Sequence, residues 1–408
     1  MTVTVLRGGT VFTPQPAGVA DVVVGGRDVL AVTAAGDPAS GGPPTGSPDA
    51  VVHDCAGLLV VPGLVDGHLH IVGGGGGAGY HSRIPELPAD VIVEAGTTTC
   101  VGMPGVDPVS KGPETLLARA YALPVAGPRA WVMAGGFHWP PPTLTGSLLR
   151  DLYLLPHLVG VKVALYEHKA TCPDLAELTR LLRELEWAAG ATGRAALLHV
   201  HLGTAGGDPD LLPRALDASG ADPRRLQVTH ANYGPRTLDL AARIGAAGSW
   251  VDVNPLINPA RIVGAVAPVD AVAELLDRGV PADRLTLSSD GNASVPRTLP
   301  DGTREEFAYR VELLPTVRAL VDTGTLDLPR ALGLVTRNPA TALGLAGAGT
   351  LRPGVPADIV VLDPELRVRR VFRDGTELVR DGRAVTPAPF RPSPGGVAAG
   401  AGPDTGSR

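Results

Sequence analysis

Lysine is almost missing from this chain. Of its 35 basic residues only three, Lys111, Lys162 and Lys169, are lysine, and the rest are arginine. A sequence that strongly prefers Arg has thus kept an ammonium side chain at three positions, two of them seven residues apart. Cysteine is equally scarce. Cys55, Cys100 and Cys172 lie far apart, which excludes a zinc ribbon or a Cys-x-x-Cys redox motif and reads as small buried hydrophobes in a reducing compartment. There is no basic excess, since 41 acidic residues give a net charge of −6. That balance argues against nucleic acid or an anionic membrane as a partner. No apolar run is long enough to span a bilayer. The first residues, MTVTVLRGGTVFTP, alternate like a strand and carry no charged segment ahead of an apolar one, so no secretory signal is expected and a cytoplasmic protein is.

The 408 residues, 44% hydrophobic and 19% charged, suffice for a large core and more than one domain. Residues 2–34 alternate apolar with small or polar residues, as short strands do. Residues 36–50, GDPASGGPPTGSPDA, read as a mobile Gly/Pro/Ser loop. Beyond it the pattern changes. Apolar runs of strand length, among them TTTCVGM, AWVMAG, VGVKVAL, ALLHVHL, RLQVTH, SWVDVN and RLTLSSD, alternate with helical stretches such as DLAELTRLLRELEWAA. Alternating strands and helices imply a parallel sheet, and about eight units over this length predict a (β/α)8 barrel. An open doubly wound sheet is the alternative. Near residue 350 the short-strand style returns. The expected domains are therefore 1–58 and 345–387, which form one small β-sandwich around a barrel at 59–344. A Pro/Gly/Ala-rich tail, 388–408, is expected to be disordered.

Chemistry concentrates at the strand ends. GLVDGHLHIVGGGGGAG spans residues 63–79 and carries His68 and His70 one residue apart. In a strand, positions i and i+2 share a face, so two imidazoles can hold one metal ion. A lone His-x-His is a weak signal. This chain has a second, His199 and His201, and spacing alone leaves either or both as ligands. His230 closes LQVTH, and Asp290 closes LTLSSD. Ligands from the ends of several strands are what a barrel active site uses. Lys162 lies between two valines in VGVKVAL. Burial there favours the neutral amine, which can take up CO2 to become a carbamate and bridge two metals, as arginine cannot. A salt-bridged or snorkelling Lys162 is the simpler reading of that residue in isolation.

Taken together these motifs resemble the amidohydrolase superfamily, and within it the isoaspartyl (β-aspartyl) dipeptidases. The likeness rests on PGLVDGHLHIVGGGG, TGS at 145–147, VGVKVAL, HVHLG, THAN, TLSSDGN and PGVPADIVVLDPELRV. It covers nearly the whole chain apart from the 36–50 loop and the tail. It implies a (β/α)8 barrel with a β-sandwich and a two-metal centre. His68 and His70 would hold one metal, His201 and His230 the other, carboxylated Lys162 would bridge them, and Asp290 would complete the site. His199 then becomes an orienting or structural histidine. The implied cofactors are two divalent ions, best matched by Zn2+, and CO2 on Lys162. The implied activity is amide C–N cleavage by a metal-bridging hydroxide, with Asp290 moving the proton to the leaving amine. Gly73–Gly76 would let backbone pass close to the substrate and offer it N–H groups. A homo-oligomer acting on a small-molecule or dipeptide-like substrate is also implied.

The substrate side departs from that pattern. Gly77 stands where the dipeptidases have a glutamate for the substrate α-amino group. Phe137 stands where they have a tyrosine for the oxyanion. Lys169 and Tyr233 each replace an arginine, and Ser294 alone keeps the expected type. Gly75, Gly76, Gly77, Phe137, Lys169, Tyr233 and Ser294 are thus the candidate substrate contacts, with Tyr80, His81, Tyr166 and Glu167 as replacements for lost ones. The expectation is an isoaspartyl-dipeptidase-like amidohydrolase with altered specificity, for a substrate without a free α-amino group. The alternatives are a genuine β-aspartyl dipeptidase with rearranged recognition and a non-catalytic metal-binding protein. Asp290 speaks against the last, since a closed structural site needs no base.

Overall fold

The computed structural model describes residues 3–35, 50–298, 304–308 and 311–385. The expected loop at 36–50, apart from Ala50, and the expected tail at 388–408 lie outside the described residues. Eight strands run parallel in sequence order around a barrel: β1 (Leu64–Leu69), β2 (Thr97–Gly102), β3 (Arg129–Gly136), β4 (Leu158–Leu165), β5 (Leu197–Leu202), β6 (Leu226–Thr229), β7 (Trp250–Val253) and β8 (Leu285–Leu287). Every residue of β2, β4 and β5 is buried. Helices cover the outside and side chains fill the inside, so such strands read as unbroken apolar runs. The helix Leu175–Thr192 shows how the covering layer is specified. Asp174 and Glu177 form a reciprocal capping box, Gly193 ends the helix at φ 67°, and Leu178, Leu181, Leu182 and Leu185 are buried at helical spacing.

The ring closes where β8 returns to β1. At the C-terminal end the Asp290 amide donates to His68 O (3.0 Å) and the His70 amide to Gly291 O (3.0 Å). At the other end the amides of Val65 and Leu287 donate to Val335 O (2.8 Å) and Leu334 O (2.9 Å). Between them the buried Asp66 carboxylate accepts from the Ser289 hydroxyl (2.5 Å) and amide (3.2 Å). The closing contacts therefore also place His68, His70 and Asp290 side by side.

The second domain is a nine-stranded, mostly antiparallel sheet drawn from both ends of the chain. Its hydrogen-bonded order is Arg383–Ala384, Thr376–Arg380, Val368–Arg373, Ile359–Leu362, Leu59–Pro62, Val3–Phe12, Pro16–Gly25 and Asp28–Ala34, with Ala50–Asp54 also paired to Val3–Phe12. Its own core includes Leu6, Val22, Val60, Ile359 and Phe372. Leu59–Pro62, which the sequence reading put in the barrel, pairs instead with Ile359–Leu362 and with Thr10 and Val11. The run into β1 is continuously apolar on both sides of Gly63, so no composition break marks the crossing. Arg129, the first residue of β3, ties the domains together by reaching both Asp358 and Asp374 (2.6 Å to the latter). No helix among the described residues is long and apolar enough to cross a membrane.

Two outcomes are expected from this packing. Gly135 sits at φ 92°, and a Cβ there would meet Lys162 O at 2.0 Å, whereas one on Gly146 at φ 80° would meet nothing within 4 Å. Gly135→Ala should therefore lower stability in urea by about 2–3 kcal/mol, and Gly146→Ala by about 1 kcal/mol. Burial pushes the Asp358 carboxyl up to about 6 against the pull of Arg129. Between about pH 4 and 6 the folded chain keeps a proton that the unfolded chain has lost, so this residue's contribution falls as pH rises. Asp358→Asn should remove a decline on the order of 3 kcal/mol from the stability–pH curve over that window.

Candidate metal centre and substrate cleft

The predicted residues meet at the C-terminal mouth of the barrel. His68 lies in β1 and His70 just beyond it. Lys162 lies in the middle of β4, His199 and His201 in β5, His230 directly after β6 and Asp290 just past β8. Lys162 pairs in register with His199 on one side and Gly135 on the other. His230, Asp290, Asn292 and Tyr166 hold left-handed φ values of 63°, 51°, 61° and 58°. Such angles are uncommon for residues other than glycine, and they gather where side chains must be aimed rather than relaxed.

Asp290 Oδ1 stands 3.4 Å from His68 Nε2 and 3.2 Å from His70 Nε2, and one ligand atom from each of these three residues lies within 4.8 Å of the others. The His201 and His230 ring centroids are 4.4 Å apart, and those of His68 and His230 5.2 Å. Lys162 Nζ is 3.2 Å from His68 Nε2 and donates to Pro104 O at 3.1 Å. It is 1% exposed, and burial brings its amine down to about 8. Burial also drives His68 and His230 well below the usual imidazole value, lowers His70 and His201, and takes His199 to about 3. Burial opposes ionisation of Asp290, yet the nearby His70 and the surrounding His230 and Lys162 hold its carboxyl low. Neutral imidazoles with free lone pairs beside a carboxylate are what a divalent cation requires. His201 Nε2 and Asp290 Oδ1 are buried without a hydrogen-bond partner. A buried polar atom in that state calls for a partner the protein does not supply. The donor set therefore fits a metal ion.

His199 is held differently. Its Nε2 meets His68 Nδ1 at 3.0 Å, and its Nδ1 meets Gln227 Oε1 at 2.9 Å. Both ring nitrogens are spent on neighbours. Sequence reading missed the polar layer beneath: Gln227, Thr229, Asp252, Asn254, Thr286 and Ser288 are all buried and joined by hydrogen bonds. The signal was available, because Asp252 and Asn254 are polar residues at i and i+2 inside the strand run SWVDVN.

A cleft of about 260 Å³ opens over the centre, and Gly75, Phe137, Glu167, Lys169 and Tyr233 line it with His70, Lys162, His201, His230 and Asp290. Gly76 and Gly77 do not line it. A Cβ on Gly77 would lie 3.2 Å from Lys169 Nζ, so the missing side chain would have faced this ammonium. The Phe137 ring is 4.9 Å from that of His201 and brings no donor. Burial, with Glu167 nearby, raises the Tyr233 phenol, which keeps its hydroxyl a donor. Glu167 Oε2 reaches to 3.8 Å from His201 Nε2. Tyr166 faces a separate outer cavity of about 680 Å³ that shares Tyr233 as a wall. Tyr80, 87% exposed, and His81, also exposed, do not line the cleft. Ser294 begins a strand paired with Arg304–Ala308, and its side chain lies outside the described residues.

The glycine run limits one expectation to Gly75, which lines the cleft. The amides of Gly73, Gly74 and Gly76 are already spent on His70 O (2.8 Å), Asn292 O (2.9 Å) and Ser82 O (3.1 Å), so they are not free for a substrate. The run is needed for close packing instead. Gly73 has φ 78°, and a Cβ there would meet Ile84 O at 2.1 Å. Lys111, the third lysine, locks the loop by donating to Gly73 O (2.8 Å), Gly74 O (3.0 Å) and Ile84 O (2.5 Å). Three carbonyls converging on one point suit a tetrahedral ammonium, whereas a planar guanidinium spreads its donors. Lys111→Met should lower stability by about 3 kcal/mol and open the 73–84 loop to protease. Urea titration and limited proteolysis would check this.

Comparison with known proteins agrees with this geometry. Residues 59–385 match the model of the amidohydrolase family. A dihydroorotase from Syntrophotalea carbinolica is 28% identical over 381 residues, covering 78% of this chain and 81% of that protein. An adenine deaminase from Methanothrix thermoacetophila is 43% identical, but over 67 residues that make up only 16% of this chain and 12% of the deaminase. Among solved structures, the β-aspartyl dipeptidase of Fervidobacterium islandicum AW-1 in complex with a β-Asp-Leu dipeptide superposes with a TM-score of 0.83 at 27% identity, covering 94% of this chain and 99% of that one. With its barrel, its second sheet and a metal-ready strand mouth, the chain belongs to the amidohydrolase family, the metal-dependent hydrolases of carbon–nitrogen bonds.

Proposed function

We propose that this chain is a two-metal amidohydrolase that cleaves the amide bond of a small substrate other than a standard isoaspartyl dipeptide. One observation carries the reading. His68, His70, Lys162, His201, His230 and Asp290 converge at one mouth, while the cleft wall carries Phe137, Lys169 and Tyr233 over a bare Gly77. In this reading His68 and His70 hold one Zn2+ and His201 and His230 the other. Lys162, as a carbamate, and Asp290 would supply the anionic ligands. Bound there, the ions would supply Lewis acidity and a nucleophile active near neutral pH. Asp290 accepts the nucleophile's proton and passes it to the leaving nitrogen. Tyr233 is the hydroxyl donor left in the cleft for a developing oxyanion, since Phe137 has none. Lys169 meets a substrate carboxylate as a point charge rather than a fork. With no acid at position 77, a substrate without a free α-amino group fits best. A cyclic amide, in line with the dihydroorotase likeness, or an N-acylated amino acid meets that condition. The reading extends to a homo-oligomer in the cytoplasm, supported there by three free cysteines, with neither nucleic acid nor membrane as partner.

A second reading, a β-aspartyl dipeptidase with rebuilt recognition, is favoured by the dipeptide-bound relative and by Glu167, a carboxylate facing the same cleft. Protein purified with zinc and bicarbonate should carry about two metals per chain. It should turn over a cyclic amide or an N-acyl amino acid faster than a β-aspartyl dipeptide. Faster dipeptide cleavage would install the second reading, and absence of bound metal would remove both. In the same preparation Asp290→Asn should abolish turnover while most of the metal stays. Lys162→Arg keeps the charge but cannot take up CO2, so it should lose metal and the dependence of loading on bicarbonate.

A further inference from the structure

We infer that Asp252 is a positioning residue shared by both halves of the metal centre, the common acceptor at which hydrogen-bond chains from His68 and His230 end. The inference rests on the reading above only in taking Nε2 of both imidazoles as the metal-facing atom.

The direction of each chain follows from donor and acceptor chemistry. With Nε2 bare, His68 carries its proton on Nδ1 and donates it to His199 Nε2 at 3.0 Å. His199 must then carry its own proton on Nδ1, which donates to Gln227 Oε1 at 2.9 Å. The Gln227 amide nitrogen donates to Thr286 Oγ1 (3.0 Å), and the Thr286 hydroxyl to Asp252 Oδ1 (2.6 Å). From the other side, His230 Nδ1 donates to Asn254 Oδ1 at 2.5 Å. Asn254 Nδ2 donates to Ser288 Oγ (2.8 Å) and Asp252 Oδ2 (3.3 Å), and the Ser288 hydroxyl to Asp252 Oδ2 (2.6 Å). The Thr229 hydroxyl adds another bond to the same oxygen at 2.7 Å.

Every link points toward Asp252, which is 1% exposed and touches neither the cleft nor an ion pair. Only a group that accepts at both oxygens can end both chains, and among side chains that is a carboxylate. The Lys162 amine, 3.2 Å from His68 Nε2, favours the same arrangement by offering a donor to that bare nitrogen. Partners that fix the tautomer of a ligand histidine set how well it holds metal, typically by 10–100-fold in affinity. Here one buried carboxylate sets it for two strands, β1 and β6, through a residue of a third, β7.

The test is Asp252→Asn, which keeps the volume but presents one amide nitrogen to hydroxyls that now donate, so one chain must reverse. Histidine tautomers would be read by long-range 1H–15N correlation on 15N-histidine-labelled protein, metal-free and zinc-loaded, and zinc affinity by chelator competition. Wild type should show His68, His199 and His230 protonated at Nδ1 in both states. Asp252→Asn should mix the tautomers of His68 or His230 and weaken zinc binding by about 10–100-fold. Gln227→Met, which cuts only the first chain, should mix His68 and His199 and leave His230 as it was. Should Asp252→Asn not fold, Gln227→Met decides alone. Unchanged tautomers and zinc affinity in the variants would overturn the inference. Wild-type protein that binds no zinc but keeps the tautomer pattern would instead sink the metal reading and leave the polar chain standing.

Discussion

A lysine amine buried at the centre of an apolar strand is the constraint around which this barrel mouth is arranged. Among the described residues Lys162 has no carboxylate within ion-pairing distance and meets instead a proline carbonyl and an imidazole nitrogen. Desolvation disfavours a charged ammonium in that position and brings the amine down to about 8, among imidazoles that burial holds low and with Asp290 as the nearby anion. The backbone is shaped to admit it, since β3 passes so close that position 135 must be glycine. The polar layer beneath, with Asp252 at its base, gives His68, His199 and His230 a partner at Nδ1. His201 Nε2 and Asp290 Oδ1 are left without a partner.

The closing seam of the barrel and the metal site are the same place. β8 returns to β1 through Asp290, Gly291 and Ser289, and Asp66 clasps that return from below. The glycine run that follows His70 is folded tightly against residues 82–85 and locked by Lys111. Rigidity there does for the cleft what donated N–H groups were expected to do. It holds a wall in place without occupying the space above the ligands.

The three lysines of an arginine-rich chain thus have three separate reasons. Lys111 serves as a compact three-donor clamp, Lys162 as an amine that burial can neutralise, and Lys169 as a point charge over the gap at Gly77. None of these roles suits a planar guanidinium that never loses its proton. Phe137, Lys169 and Tyr233 share one wall of the cleft, and Gly77 leaves space beside the Lys169 ammonium.

Sequence alone determined the alternating strands and helices, and with them the barrel. It also determined the ligand types at the strand ends, because each buried strand leaves a run of Val, Leu and Ile and each polar interruption within it must have a reason. Lys162 in VGVKVAL and the two His-x-His pairs were legible for that cause. Asp252 and Asn254 in SWVDVN carried the same signal, but their partners come from β5, β6 and β8, and no spacing along the chain brings those together. Only the tertiary structure decided which of His199 and His201 faces the cleft, since both lie on one face of β5 and differ in what stands beside them. It alone assigned Leu59–Pro62 to the second sheet, because hydrogen-bond pairing rather than composition separates the two domains there. It alone showed the amides of Gly73, Gly74 and Gly76 already spent, since the turn that carries them is fixed only when Asn292, far away in sequence, packs against it.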